Sequence, residues 1–236
     1  MDDSEIVEIT DRLNGPPFTC DPLPPVDPQD PRLPDNSSTS NPSTSKVLVF
    51  VGGLAAPGNE WPLTAIRRSA REQGWRTKYF NERLIFGPIA RSAGRLVDLI
   101  KELEKQHAAI VVVGHSMGGL VAEHAGALGA PIDALVTIGT PHRGNSLSRL
   151  GPLRVMREMG TNSAYLKSVQ AIPGPRPPIL VITAAKDRLV PKSASRPNRP
   201  HSFVEVPHVG HLGVIFDQSA ADAILEWADA HTKQTL

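Results

Sequence analysis

The stretch IVVVGHSMGGL, residues 110–120, decides the fold because it leads an apolar run directly into a turn of small residues. Its first four residues are apolar at consecutive positions, which is typical of a strand buried on both faces of a parallel sheet. The sequence after Gly119 can begin a helix at once, so the connecting turn has to be tight. Gly114 and Gly118 lie two residues to either side of Ser116, where a side chain would collide with neighbouring backbone. Ser116 is therefore either a nucleophile or a small residue in a turn that needs small residues.

Apolar runs of the same kind recur along the chain and alternate with helical patterns. Consecutive apolar positions occur at residues 47–51, 109–113, 134–138 and 179–183, and weaker or edge strands are predicted at residues 75–80 and 202–206. Segments with the apolar spacing of helices lie between them, near residues 61–73, 89–106, 117–128 and 218–231. This alternation predicts an α/β fold of about six mainly parallel strands flanked by helices, over residues 46–236.

Residues 1–45 differ in composition from the rest of the chain. Proline is dense from residue 14 onward, and serine, threonine and asparagine then take over up to residue 45. Prolines fix φ and remove backbone donors, so this segment cannot form a helix or a central strand. We predict an acidic, Pro- and Ser-rich N-terminal arm or linker at residues 1–45 and a folded domain at residues 46–236.

Charge is distributed unevenly between these two parts. The formal net charge is +1; residues 1–45 contribute −7, from nine acidic and two basic residues, and residues 46–236 contribute +8. Two interpretations of the arm are open: a solvated tail, which its composition favours, or an acidic arm that lies on the basic domain. The basic residues of the domain are scattered and have few aromatic neighbours, so we do not expect binding of nucleic acid.

The sequence also indicates the cellular location, the absence of an intramolecular disulfide and the cofactor requirement to expect. The N-terminus lacks the apolar run of a secretory signal, and no run approaches the roughly 18 residues of a membrane span. We therefore expect a cytoplasmic protein without a transmembrane segment. Cys20 is the single cysteine, which excludes an intramolecular disulfide. The histidines and aspartates have no compact metal-ligand spacing, so we expect neither a metal nor an organic cofactor.

A serine nucleophile requires a base, and the base requires a carboxylate that orients it. His211 is the favoured base, because it follows the last predicted strand and its glycine neighbours let it point back at Ser116. His208 in the same loop is the alternative, and His142, after another strand, is a candidate pocket residue. The remaining histidines lie before strands, inside the turn or on helices: His107, His115, His124, His201 and His231. The candidate carboxylate is Asp187, in the loop that follows the strand at residues 179–183.

Two backbone amides are candidates for binding a developing oxyanion. Met117 follows Ser116 at the N-terminus of a predicted helix, where amide groups are free to bind anions. The second amide should come from the loop after the first strand, where Gly52 and Gly53 allow close approach of the backbone and Leu54 follows. The alternative for that loop is a glycine turn without this role.

These motifs resemble those of the α/β-hydrolases, in particular their lipase and esterase branch, over nearly all of residues 46–236. The resemblance is carried by VFVGGL (49–54), VVVGHSMGGLVAEHAG (111–126), VTIGTPHRGN (136–145), MGTNSAYLKSV (159–169), ITAAKDRLVP (182–191) and VPHVGHLGVIFD (206–217). The chain order Ser116, Asp187, His211 is also that of the family. The first two strands of larger members have no counterpart here, so the resemblance implies a minimal α/β-hydrolase fold.

The resemblance further implies roles for the candidate residues. Ser116 would be the nucleophile, His211 the base and Asp187 the orienting acid, with the amides of Leu54 and Met117 as the oxyanion hole. The implied activity is cleavage of a small-molecule or lipid-like carboxylic ester through an acyl-enzyme, without a cofactor. The chain departs from the family at Gly52, where members usually carry the histidine of a His-Gly pair that orders the oxyanion loop.

Other functions of the same residues remain as alternatives. An acyltransferase, a thioesterase or a perhydrolase would use the same triad, whereas a non-catalytic protein of this fold would bind a partner through the acidic arm. The presence of all three triad residues argues against the non-catalytic alternative. Residues 140–178 are the main place for a cap over the site; because this segment is short, we expect an open groove and esters of short or medium acyl chains.

An acidic arm that lies on the basic domain has a measurable consequence. Deleting residues 1–44 should then lower the melting temperature by a few degrees at low ionic strength, and the difference should vanish at about 0.5 M salt, which screens charge attraction. Thermal melting of the two chains at both salt concentrations measures this. Identical melting curves would leave the solvated tail as the correct interpretation.

Overall fold

The structure, a computed structural model, describes residues 45–54, 64–80, 87–146, 148 and 151–232. The predicted arm lies outside the described residues, apart from Ser45. The described strands are β1 (Lys46–Val51), β2 (Trp75–Tyr79), β3 (Ala109–His115), β4 (Ala134–Ile138), β5 (Ile179–Ala184) and β6 (Ser202–Val206). All six predicted strands are thus confirmed, and their bounds differ from the prediction by two residues at most.

The helices lie between the strands, as the alternating pattern predicts. They are α1 (Thr64–Glu72), α2 (Ile89–Glu104), α3 (Met117–Ala127), α4 (Arg154–Glu158), α5 (Ala164–Ala171), α6 (Lys192–Ser195) and α7 (Gln218–Thr232), with a 3₁₀ helix at Gly213–Phe216 before the last. The four predicted helices correspond to α1, α2, α3 and α7, although residues 61–63 of the first prediction lie outside the described residues. The helices α4, α5 and α6 have five, eight and four residues, which is too short for a periodic pattern to emerge.

The six strands form one sheet in the order β2-β1-β3-β4-β5-β6, and every neighbouring pair is parallel. The two edge strands are β2 and β6, the two that the sequence marks as weaker, because an edge strand is not buried along its whole length. The order of strands reverses between β1 and β3. In open parallel sheets such a reversal opens a crevice at the carboxyl ends of the strands, where ligands bind. Ser116 follows β3 and therefore lies at this crevice.

Helices cover both faces of the sheet, so the core has two layers. Val47, Val49 and Val51 of β1 pack in the layer formed with α2, α3, α4 and α5. Leu48 and Phe50 point the other way and pack with α1 and α7. Successive side chains of a strand alternate between faces, so a strand covered on both faces must be apolar throughout. This burial explains the continuous apolar runs of the sequence.

The helix α3 is buried at all of its eleven positions, including Glu123 and His124. A helix that is buried all round packs against neighbours on every side and cannot shift without disturbing them. The structure thus places Ser116 between a central strand and a rigid central helix. No helix among the described residues combines the length and the apolarity that crossing a membrane would require.

Ser45, directly before β1, lies at the opposite end of the sheet from Ser116. Its carbonyl accepts a hydrogen bond from the Ala108 amide at 2.9 Å, and its hydroxyl lies 3.2 Å from the Gln106 carbonyl and 2.8 Å from Nδ1 of His107. These contacts join the residue before β1 to the residues before β3. The chain therefore enters the domain at the amino edge of the sheet.

Candidate active site

The turn around Ser116 has the strained geometry that its sequence predicts. Ser116 has φ 53° and ψ −122°, a conformation that residues other than glycine rarely adopt. A Cβ at Gly118 would lie well inside contact distance of the carbonyl oxygens of Val51 and Gly52, and a Cβ at Gly114 would lie 2.6 Å from the Gly119 nitrogen. The flanking glycines are therefore required by close backbone contact, and the turn holds Ser116 at the carboxyl edge of the sheet.

The loop after β1 faces this turn. A Cβ at Gly53 would lie 3.1 Å from the Cβ of Ser116, so the two segments are in close contact. Within the described ranges, the amides of Leu54 and Met117 have no hydrogen-bond partner. Met117 begins α3, so its amide lies at the positive end of the helix dipole. Two unpaired amides on segments that adjoin a serine could bind an oxyanion.

Asp187 and His211 form a buried pair. Oδ2 of Asp187 accepts a hydrogen bond from Nδ1 of His211 at 2.7 Å, and the side chains are 2% and 10% exposed, respectively. The other carboxylate oxygen of Asp187 accepts from the amides of Leu189 and Val190, each at 2.8 Å. Burial raises the pKa of Asp187, but the hydrogen bonds from His211 and from the two amides outweigh it, so the net pKa is lowered. The carboxylate is thus held ionised and oriented.

This pair and Ser116 both adjoin the end of β4. A Cβ at Gly139 would lie 3.1 Å from the ring of His211 and 3.3 Å from Oδ2 of Asp187. The amide of Ser116 donates to the carbonyl of Ile138, one residue earlier, at 2.8 Å. The hydroxyl of Ser116 has no hydrogen bond to the His211 ring among the described residues. In unliganded sites such bonds are often long and shorten when substrate binds.

The alternative base, His208, lies apart from this pair. It is exposed in the turn after β6 and has φ 65°. His211 is the histidine that is bonded to Asp187. The structure therefore brings together Asp187 and the favoured histidine, with Ser116 beside them.

His115 belongs to the site although the sequence gives no sign of it. Its side chain is buried, and its Nε2 donates to the carbonyl of His211 at 3.0 Å. Nδ1 of the same ring lies 3.3 Å from the position of a Cβ on Gly53. Burial, and next the nearby His211, lower the pKa of His115 to about 4, so the ring is neutral. One neutral ring thus contacts both the loop that carries His211 and the loop after β1.

His142, the candidate pocket residue, is buried in the segment that follows β4. It is 4% exposed, and its Nε2 lies 3.0 Å from the hydroxyl of Thr137. Burial lowers the pKa of His142 to about 4. Within the described part of the chain, no group of three or more histidine, cysteine, aspartate or glutamate side chains could hold a metal ion.

The comparisons of sequence give a partial match. The sequence profile of the PGAP1-like alpha/beta domain family matches residues 89–155, from the start of α2 through the Ser116 turn into α4. This match covers less than half of the chain. No curated protein has a matching sequence.

Solved structures with a similar fold include esterases and a lipase. Est1E from Butyrivibrio proteoclasticus has a TM-score of 0.63 at 18% identity, over 83% of this chain and 92% of that one. The mature lipase BlEst2 from Bacillus licheniformis has a TM-score of 0.65 at 14% identity, over 81% and 94%. The esterase domain of a Rhodothermus marinus protein has a TM-score of 0.59 at 20% identity, over 83% and 90%. At these identities the likeness confirms the predicted fold class, and the chemistry has to be argued from the residues of the site.

The close packing of the turn predicts unequal effects of two glycine substitutions. Gly118→Ala should lower the free energy of unfolding by about 3 kcal/mol or more, because its Cβ would meet rigid backbone of Val51 and Gly52. Gly94→Ala in α2, where nothing lies within 4 Å of the added Cβ, should leave it unchanged or raise it by up to about 1 kcal/mol. Urea unfolding of both variants measures the difference, and equal effects would contradict the packing described here.

The buried neutral histidines predict a loss of stability in mild acid. Unfolding restores the ordinary pKa of 6.5 to His115 and His142, so the unfolded chain binds protons that the folded chain does not. Between about pH 6.5 and pH 4 the free energy of unfolding should fall by about 1.4 kcal/mol per pH unit for each ring. His115→Gln should remove the contribution of its own ring and so make the loss of stability toward acid less steep than in wild type. Urea unfolding at a series of pH values measures the slopes; an unchanged slope in His115→Gln would show that this ring does not titrate as described.

Proposed function

We propose that this chain, an α/β-hydrolase by fold, is a serine hydrolase that cleaves carboxylic esters through an acyl-enzyme on Ser116. The observation that carries the proposal is the buried Asp187–His211 hydrogen bond, next to a serine held at positive φ where the strand order reverses. A turn that only needed small residues would not require an oriented imidazole beside it. The esterases and lipase among the similar structures agree with this chemistry.

In the first half of the proposed reaction, Oγ of Ser116 attacks the carbonyl carbon of the ester. The hydroxyl proton passes to Nε2 of His211, whose Nδ1–H remains hydrogen-bonded to the ionised Asp187 and is stabilised as an imidazolium. The carbonyl oxygen becomes an oxyanion that accepts hydrogen bonds from the amides of Leu54 and Met117. The C–O bond to the alcohol then breaks, and the alcohol leaves with the proton of His211.

In the second half, water attacks the acyl-enzyme. His211 accepts a proton from the water, a second oxyanion forms in the same amides, and its collapse releases the carboxylic acid and restores the Ser116 hydroxyl. Ester and water together supply every atom of the alcohol and the acid, so the reaction needs no oxidant or reductant. An acyltransferase, a thioesterase or a perhydrolase would differ in the acyl donor or in the molecule that attacks the acyl-enzyme, and analysis of products separates them.

His115 is proposed to act as a positioning residue in this reaction. Its hydrogen bond to the backbone of His211 restrains the loop that carries the base, and its contact at Gly53 supports the oxyanion loop. In this way it could supply the order that members of the family obtain from the histidine at the position of Gly52. Because His115 is neutral, it does not oppose the positive charge that His211 acquires during the reaction.

The substrate is proposed to be an ester of a short or medium acyl chain. The described part of the candidate cap segment contributes much of its apolar surface to the core rather than to a cover: Val155, Met159, Leu166 and Val169 pack in the layer on α2 and α3. Apolar side chains that pack in the core are not available to cover a long acyl chain. This supports an open groove at the carboxyl edge of the sheet.

A fluorophosphonate probe and a series of p-nitrophenyl esters test the proposal. Wild type should be labelled by the probe and Ser116→Ala should not, whereas Ser168→Ala, which removes an exposed hydroxyl of α5, should be labelled like wild type. Asp187→Asn should lower kcat by about 10⁴-fold with little change in labelling stoichiometry at long times, because the histidine loses its orientation. Esters of two to eight carbons should be hydrolysed faster than long ones.

Several outcomes would contradict the proposal. Labelling of Ser116→Ala, or a lack of labelling in wild type, would remove the nucleophile assignment. A rate that rises steadily with acyl length and increases abruptly at an oil interface would replace the short-chain esterase with a lipase.

A further inference from the structure

A cavity of about 480 Å³ lies beside α3, away from the candidate active site. It is enclosed by α3, by α5 with the chain that follows it, and by the segment before β6. Its lining residues are Leu120, Glu123, His142, Tyr165, Leu166, Val169, Gln170, Ile172, Pro173, Gly174, Arg176, Pro197, Asn198 and Arg199. Ser116, Asp187 and His211 are not among them. The volume falls in the range of pockets that hold small organic molecules, roughly 300–1,000 Å³.

The charges in the wall of this cavity do not balance. Glu123 accepts hydrogen bonds from Nε and Nη2 of Arg199 at 2.9 and 3.1 Å, and from Nη1 of Arg176 at 3.5 Å. The side chains of Glu123, Arg176 and Arg199 are only 10%, 16% and 19% exposed. The two titratable rings in the wall carry no charge: burial lowers the pKa of His142 to about 4, and burial, with Glu158 and Glu123 nearby, raises the pKa of Tyr165. Two guanidinium groups against one carboxylate leave one positive charge in a poorly solvated place, which is costly without a further anion.

The two arginines also have guanidinium N–H groups that their contacts within the protein do not use. Arg176 additionally donates from Nη2 to the carbonyls of Val169 and Ile172, at 2.7 and 3.1 Å, and Arg199 donates from Nη1 to the carbonyl of Pro177 at 2.8 Å. Each guanidinium has five N–H groups, and these contacts with those to Glu123 use three of them in each arginine. The remaining N–H groups are available to an acceptor that carries negative charge.

Six of the other lining residues are apolar. They come from α3, from α5 and from the prolines on either side: Leu120, Leu166, Val169, Ile172, Pro173 and Pro197. An inorganic anion would satisfy the arginines but would leave these side chains facing water. A molecule with one negative charge and an apolar body would satisfy both parts of the wall.

We infer that this cavity binds a small organic monocarboxylate, with its carboxylate on the guanidinium groups of Arg176 and Arg199 and its apolar body against α5. One carboxylate neutralises the single excess charge, and guanidinium groups bind carboxylates through two parallel hydrogen bonds. The inference stands on the cavity and its charges and does not depend on the proposed ester hydrolysis. Such a ligand would lie against α3 one turn beyond Ser116, since Leu120 is in the wall.

Calorimetric titration of the full chain with octanoate, 1-octanol and inorganic phosphate tests the inference. Octanoate should bind with one site per chain, and 1-octanol and phosphate should each bind at least about tenfold more weakly, because each lacks one of the two features that the cavity matches. Octanoate at ten times its Kd should raise the melting temperature by about 3 °C. Octanol or phosphate that binds as tightly as octanoate would overturn the assignment to a carboxylate with an apolar body.

Variants locate the bound octanoate. Arg176→Gln should weaken binding at least about tenfold, and Ile172→Trp, which fills the cavity and leaves both arginines in place, should do the same even if Arg176→Gln folds poorly. Arg68→Gln, which removes an exposed guanidinium on α1, and His211→Ala at the candidate active site should leave the octanoate Kd unchanged. If Ile172→Trp binds octanoate like wild type, or if His211→Ala loses the binding, the ligand lies elsewhere and the inference is wrong.

Discussion

The steric fit between the first turn of α3 and the backbone of its neighbours is the constraint on which the rest of the site depends. There is no room for a Cβ between Gly118 and the carbonyls of Val51 and Gly52, and a Cβ at Gly119 would overlap the side chain of Thr140. The helix is thereby held between β1 and β4, and Ser116 completes the turn only by adopting a positive φ. The unpaired Met117 amide and the close approach of the loop after β1 follow from the same fit.

Burial also keeps a histidine beside the candidate base uncharged. His115 sits with its ring centroid 4.9 Å from that of His211 and remains neutral because water is excluded from it. A charged ring at that distance would oppose proton uptake by His211, so a neutral one serves the acid–base chemistry proposed for the site. The wall of the cavity beside α3 contrasts with this, since its two arginines lie at low exposure and share the single carboxylate of Glu123.

The parts of this structure that local sequence determines were predictable, and the parts that depend on distant contacts were not. Continuous apolar runs identified the central strands, and Ser116, Asp187 and His211 could be proposed because each follows a strand of a parallel sheet. The contact of His115 was not predicted, because its hydrogen-bond partner His211 is 96 positions away and the sequence of a glycine-flanked turn does not indicate such a contact. The Glu123–Arg199 ion pair, 76 positions apart, was not predicted for the same reason. The short helices α4 to α6 carry too little periodicity to be recognised.

The contacts of Ser45 fix how far the first described residue lies from the candidate active site. Ser45 is joined to the residues before β3, whereas Ser116 follows the same strand at its other end. A strand of six residues such as β1 spans about 20 Å. Ser45 and Ser116 therefore lie at opposite ends of the sheet, about one strand length apart.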